Sequence, residues 1–207
     1  MTSKFLSLEP VKRAPILNAA LKEFAQKGFD DASTNEIVKE AGISKGLLFH
    51  YFNTKKELFL FLFDYSLEIL KREYIELVNT DETDPFARYR QAALLKIDLI
   101  HKHPHVFDFL GIAAFTESEQ VKEALEIREK ELRTISLAKL FEHIDTSKFR
   151  PGVDVKRAIN IIVWAIEGYE KQAQKEIQGR PLSQIDYDAF LVDFDAYIDV
   201  LKNCFYQ

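Results

Sequence analysis

Between Ser33 and Phe52 the chain must make two helices in about twenty residues, because start and stop signals follow one another too closely for anything longer. Ser33-Thr34-Asn35-Glu36 has the S-x-x-E spacing of a capping box and opens a helix through Ile37, Val38 and Ala41. Gly42 ends it, and Ser44 is placed to cap the next, which runs through the aromatic-rich stretch GISKGLLFHYF. Two short helices joined by Ala41-Gly42-Ile43-Ser44 have the spacing of a helix-turn-helix.

The second of these helices is an odd one, with a glycine near its start that costs about 1 kcal/mol relative to alanine. Turning it about 100° per residue pairs Leu48 with Phe52 toward the core. Gly46 and His50 then point outward, flanked by Leu47 and Phe49. An outward glycine lets a phosphate or base edge come close, and helix N-terminal amides attract phosphate. Lys45 adds charge, and Tyr51 and Lys55 offer further donors to phosphate. One side of the helix packs while the other suits a DNA groove. Charge agrees: residues 1–56 hold nine Lys/Arg against six Asp/Glu, leaving nineteen against twenty-seven for the remainder. A basic head on an acidic body is the electrostatic footprint of a nucleic-acid binder whose overall charge is negative.

The rest of the chain reads as helix. Phe is abundant at 17, Gly and Pro scarce at 7 and 6, and helical periodicity recurs almost everywhere. Ile16, Leu17, Ala20, Leu21 and Phe24 form one stripe ending at Lys27-Gly28. Pro15 either starts that helix, leaving residues 1–14 as an arm with Lys4, Lys12 and Arg13, or bends a helix that begins near Pro10. Thr54-Lys55-Lys56-Glu57 is a second capping box, launching a helix to about Val78. It contains LFLFLF (58–63), which no turn signals bound and which therefore stays helical. Asp84-Pro85 opens a helix that Pro104 ends near His103. Thr116-Glu117-Ser118-Glu119 caps a helix to about His143. Two more follow, from Val155 to Gln178 and from Gln184 to Phe205, separated by Gly179-Arg180-Pro181. The expectation is an all-α protein of about nine helices with no strand.

In the last helix Tyr187, Phe190, Phe194, Tyr197, Leu201 and Phe205 recur at about 3.5-residue spacing, which suits a bundle seam. The preceding helix is apolar almost all round from Ala158 to Ile166 and must be covered on both sides. A second copy can cover one side, with Phe190, Phe194, Tyr197 and Leu201 as the dimer seam. Burial of both faces within one monomer is the alternative. Phe63, Phe107, Phe109, Phe115 and Trp164 are candidate lining for an apolar effector pocket, against core packing for each. Glu167 is a candidate carboxylate for that pocket, against an ion pair with Lys171 or Lys175.

Other classes find little support. His101 and His105 in HKHPH have helical ligand spacing, but Pro104 breaks the helix between them and no cysteine is near, so a corner between helices is expected and no metal. The one cysteine, Cys204, excludes an intramolecular disulfide framework and a Cys-rich zinc site. MTSKFLSLEP does not read as a secretory signal, and the longest apolar runs fall far short of a membrane span of about 20 residues. A cytoplasmic protein without a membrane partner is expected. No nucleophile elbow, Gly-rich phosphate loop or HExxH appears, so neither an enzyme nor a cofactor is expected.

The spaced positions Thr34, Ile37, Ala41-Gly42-Ile43-Ser44-Lys45-Gly46, Leu48-Phe49, Tyr51-Phe52, Lys55 and Leu58 resemble the N-terminal signature of TetR-type (TetR/AcrR) transcriptional regulators. Ile16-Leu17, Ala19-Ala20, Phe24 and Gly28-Phe29 are similar to that family's first helix, so the resemblance covers about residues 11–60. It implies a helix-turn-helix DNA-binding domain over 1–53 and an effector-binding and dimerisation domain over 54–207. It also implies a homodimeric repressor on palindromic double-stranded DNA, paired through its last two helices and released by a small, largely hydrophobic effector. Carried over residue by residue, Thr34 contacts phosphate. Lys45, Gly46, Leu47, Phe49, His50 and Tyr51 form the recognition surface, and Lys55 grips phosphate. Phe49 departs from the family's usual tyrosine, so a hydroxyl-to-phosphate bond is lost. The alternative on the same scaffold is an architectural or division-control DNA-binding protein with no effector.

Overall fold

The computed structural model describes residues 2–207 apart from Gln178, Gly179, Pro181, Ser183 and Gln184, so the helix ends expected at Gln178 and Gln184, and the Gly179 and Pro181 break, lie outside the described residues. Ten α-helices succeed one another among those described: α1 (Thr2–Leu6), α2 (Pro10–Asp31), α3 (Thr34–Ala41), α4 (Lys45–Tyr51), α5 (Lys55–Glu73), α6 (Pro85–Lys102), α7 (Pro104–Ala113), α8 (Lys122–Leu140), α9 (Val155–Ile177) and α10 (Tyr187–Phe205). The β structure among them is a single isolated antiparallel bridge between Phe149 and Tyr206. None of these helices is long and apolar enough to cross a membrane. The chain divides into two compact units, residues 1–72 with 102–134, and residues 73–101 with 135–207. That grouping keeps α5, α7 and the start of α8 with the head helices instead of dividing the chain at residue 53.

In the first unit α2 begins at Pro10, and Pro15 lies inside it. Pro15 is the sixth residue of that helix, past the first turn, so it forgoes the hydrogen bond that an amide there would donate to the Val11 carbonyl. The residues expected as an arm instead form α1 and the first turn of α2. Gly28 breaks the helical backbone at φ 69°, ψ −173°, and Gly42 ends α3 in the left-handed region at φ 67°, both positions where a side chain would be strained. Phe59 centres the core, with ring centroids 5.0 Å from Phe24, 5.2 Å from Phe29 and 5.0 Å from Phe109.

The capping boxes close differently from their sequence pattern. Ser33 Oγ accepts the Glu36 amide at 3.5 Å, but the Ser33 amide donates to Glu23 of α2 at 2.8 Å. Glu36 turns instead to Lys39, 3.6 Å away. A long-range carboxylate has taken the reciprocal half of the box. At α5, Thr54 Oγ1 accepts the Glu57 amide at 3.0 Å, while the Glu57 carboxylate accepts from the Asn53 backbone at 3.2 Å.

The second unit packs α6, α9 and α10 around Phe86, Ala92, Ile162, Ile166, Phe194 and Ile198. Within that core Arg88 is fully buried. Its guanidinium donates to the carbonyls of Thr80 at 3.0 Å, Glu82 at 2.9 Å, Leu140 at 3.0 Å and Glu142 at 2.6 Å. These include the orphan carbonyls at the end of α8, where a cation also meets the negative end of the helix dipole. Helix α8 therefore stops at Leu140, short of His143. Helix α5 likewise ends at Glu73, and a one-turn 3-10 segment (Ile75–Leu77) takes the place of its expected last turn.

Asp84 caps α6 and ties down the chain's end. Its carboxylate accepts the Phe86 amide at 2.9 Å, Lys148 Nζ at 3.0 Å and the Tyr206 hydroxyl at 3.1 Å. Burial pushes its pKa up, but the Lys148 ammonium and the Phe86 and Ala87 amides outweigh burial and hold the carboxyl below the ordinary aspartate range. A depressed folded pKa adds stability above the unfolded value of about 3.9, and that stability is lost as pH falls through the folded value. Asp84→Asn keeps a competent cap but loses the ion pair with Lys148, so it is expected to cost at most about 1 kcal/mol at neutral pH and to flatten the acid side of the stability profile. Urea midpoints measured from pH 6 to pH 2 check this; parallel profiles for both proteins would refute it.

Candidate nucleic-acid interface

Helix α4 is held from behind. Ser44 Oγ accepts the Leu47 amide at 3.1 Å, fixing its first turn. Leu48 and Phe52 are buried on one face, while Lys45, Gly46, Leu47 and His50 are exposed on the other and Phe49 is half-buried. The Lys45 ammonium sits 6.0 Å from the centre of the Phe49 ring. Gly46 is not required by the backbone, since its φ is not positive, and a Cβ built there would meet only Ser44 Oγ at 4.0 Å. The fold has room for a side chain at this place. Its absence leaves a flat spot on the exposed face, beside His50 one turn away.

Other proposed contacts are placed differently. Thr34 is half-buried at the start of α3. Tyr51 is buried, its ring edge-on to Phe5 at 5.6 Å. Lys55 is already engaged: Nζ donates to the carbonyls of Asp30 at 2.8 Å and Ala32 at 3.2 Å, and lies 5.0 Å from the centre of the Phe29 ring. It collects the carbonyls that end α2, whereas the neighbouring Lys56 is exposed. Helical rotation separates adjacent lysines by about 100°, so a sequence motif gives no means of telling which one is occupied. Lys55→Ala is expected to lower the melting temperature while leaving the salt dependence of DNA binding unchanged. Lys56→Ala is expected to lower the salt slope by about one unit without a stability loss. Titrations of one duplex at several salt concentrations separate the two; a reduced slope for Lys55→Ala would make it a phosphate ligand.

The six candidate effector residues do not share one unit. Phe63, Phe107 and Phe109 are buried and Phe115 half-buried in the first unit, and Phe109 belongs to its ring stack. Trp164 and Glu167 belong to α9 in the second unit, and Trp164 is 64% exposed. A cleft of about 130 Å³ in the first unit is lined by Leu17, Asn18, Leu21, Tyr65 and residues 102–106, none of the six. It is smaller than the roughly 300–1,000 Å³ of a typical drug-sized ligand site.

Two of the four seam residues read on α10 turn inward. Phe194 is 6% exposed and Leu201 is buried, both within the second unit's own core, while Phe190 is half-buried and Tyr197 lies exposed beside Tyr169. An apolar stripe looks the same in sequence whether it meets its own chain or another. The outward apolar stripe runs instead through Val192, Ala196 and Val200, with Val192 73% exposed. On α9, Ile161, Trp164 and Gly168 are exposed at one-face spacing. The one sign of this in the sequence was the all-round apolar character of α9.

Residues 16–62 match the family described as bacterial regulatory proteins, tetR family. The chain is 32% identical over 137 residues to the uncharacterized HTH-type transcriptional regulator YuxN of Bacillus subtilis, covering 65% of this chain. It spans only 44% of that relative's length. It is 28% identical over 145 residues to the HTH-type transcriptional repressor KstR2 of Mycobacterium tuberculosis, covering 70% of this chain and 72% of the relative. Among solved structures, a TetR family transcriptional regulator from Chloroflexus aurantiacus has the same fold at a TM-score of 0.66 and 21% identity, over 99% and 98% of the two chains. The regulator FadR from Bacillus subtilis, solved with stearoyl-CoA, follows at 0.59 and 14% identity, over 91% and 96%.

Proposed function

Because the chain belongs to the tetR family of bacterial regulatory proteins, we propose that it is a homodimeric repressor that binds palindromic DNA through α4 and is released by a small, largely hydrophobic effector. The observation that carries the DNA reading is the exposed face of α4, where Lys45, Gly46, Leu47 and His50 stand on a helix capped by Ser44 and anchored by Leu48 and Phe52. Gly46 admits the groove edge, Leu47 and Phe49 supply apolar contact to thymine methyls or sugar, and His50 reads a base edge. Lys45 and Lys56 supply phosphate contacts. Selection from a random duplex library tests it: recovery of a two-fold symmetric sequence supports the reading, and failure to enrich any sequence sinks it. A ligand with a long apolar chain is the class to try first as effector, since a fold neighbour holds stearoyl-CoA. Such a ligand should raise the melting temperature and weaken binding to the selected duplex.

The second copy is assigned to the outward stripe of α9 and α10. A specific dimer buries about 1,200–2,000 Å² in total, and the exposed Ile161, Trp164, Val192 and Val200 give that surface an apolar centre. A two-fold pair presents two recognition helices about 34 Å apart and so reads a palindrome. Ala196→Glu, in the middle of the stripe, is expected to yield a folded monomer with undiminished helical circular dichroism and lost operator binding. Phe194→Asp is expected to unfold the second unit instead, because it places a charge in that unit's own core. Sedimentation with thermal melting decides: an intact dimer for Ala196→Glu would move the interface elsewhere.

A further inference from the structure

Phe5 is one of the most completely buried side chains in the protein, although it stands on a five-residue helix at the start of the chain. Its ring lies 5.6 Å from Tyr51, 4.9 Å from Phe52 and 5.4 Å from Phe61, edge-on to the first and the last. Tyr51 and Phe52 are the last residue and the C-cap of α4, so Phe5 closes the back of that helix at its C-terminal end. Ser44 fixes only the other end. A seven-residue helix has fewer than two full turns of its own hydrogen bonds, and its direction is set by what it packs on. Leu48 anchors one side of it. Without Phe5, the Tyr51 ring would lose the aromatic wall that faces it.

We propose that Phe5 is a positioning residue for sequence readout: by wedging against Tyr51 and Phe52 it fixes the tilt of α4 and so aligns Gly46, Leu47 and His50 with base edges. It touches no DNA itself. The proposal rests on the DNA-binding reading of α4. Edge-to-face ring pairs have a preferred geometry beyond the area they bury, which suits them to set an angle as well as to fill space. Phosphate contacts from Lys45 and Lys56 tolerate a shift that base contacts do not, because charge attraction falls off slowly with distance while a base-edge hydrogen bond does not. Loss of Phe5 therefore falls on specificity more than on attraction.

The test compares wild type, Phe5→Ala and Phe5→Leu on two duplexes at one salt concentration, the best sequence selected by the wild-type protein and a scrambled version of it. Phe5→Ala is expected to lose about tenfold or more on the selected duplex, the discrimination of one well-placed base contact, with little change on the scrambled one. Phe5→Leu, which keeps the burial without the ring geometry, is expected to fall between. Equal losses on both duplexes would mean a merely structural role and overturn the proposal, as would wild-type affinity for Phe5→Ala. If melting shows Phe5→Ala unfolded at the assay temperature, the same comparison with Phe5→Leu decides. A wild-type protein that selects no sequence would sink the DNA reading itself, and this inference with it.

Discussion

Arg88→Met is expected to destabilise the second unit by about 3–5 kcal/mol, a large fraction of a domain's total stability. Methionine fills the aliphatic part of the space, so the loss reports the guanidinium's hydrogen bonds together with its charge at the end of α8. The guanidinium serves carbonyls of Thr80, Glu82, Leu140 and Glu142, from two stretches of chain on either side of α6. A buried carbonyl left without a donor costs about 1–3 kcal/mol. That applies in full at Leu140, whereas Thr80 and Glu82 are half-buried and Glu142 is exposed, so water can replace part of what the guanidinium gives them. Arg88→Lys should restore little, because a single ammonium cannot reproduce the planar fork that reaches carbonyls on both sides. Denaturant unfolding followed by circular dichroism measures it. A midpoint within experimental error of wild type for Arg88→Met would show that the carbonyls find other donors.

Gly46→Leu should leave the fold intact and reduce binding to the selected duplex by on the order of a hundredfold or more. The two halves of that expectation have separate grounds. On the folding side, the backbone at Gly46 is ordinary and a Cβ meets nothing closer than Ser44 Oγ at 4.0 Å. Leucine is also the better helix former by nearly 1 kcal/mol, so the melting temperature should hold or rise. On the binding side, a side chain on the exposed face holds the helix away from the groove and takes neighbouring contacts out of hydrogen-bond range together. Gly46→Ala should show an intermediate loss. A Gly46→Leu protein that binds the selected duplex normally would mean that α4 does not approach DNA by this face.

Both predictions draw on residues whose importance was unequally visible in the chain itself. Gly46 stood out at once, because a glycine in a short aromatic helix is a local anomaly. The expected caps at Ser33, Ser44, Thr54 and Asp84 were legible for the same reason: donor and acceptor lie within three residues of each other. Arg88 gave no such signal. It follows a proline and a phenylalanine at a helix start, where an arginine is ordinarily a solvated charge, and its carbonyl at Leu140 lies 52 residues away. Lys55 and Lys56 differ by one position, and only the docking of α5 on the end of α2 decides which is occupied.

The sequence by itself determined the helical class, the short helix pair with its turn at Gly42, and the outward set of Gly46, Leu47 and His50, because each follows from caps, glycine and helical rotation within one or two turns. It also showed α9 to be apolar almost all round, and left open whether its second face meets its own chain or another. Only the tertiary structure decided which apolar residues lie outward. Phe194 and Val192 are both apolar and two residues apart on one helix, yet one is in the core and the other open to solvent. Only it seated Phe5 behind α4 and Arg88 among carbonyls from distant turns. The physical reason is common to all of these: burial is a property of where helices dock, and docking is settled by the packing of the whole unit, which no local stretch of sequence contains.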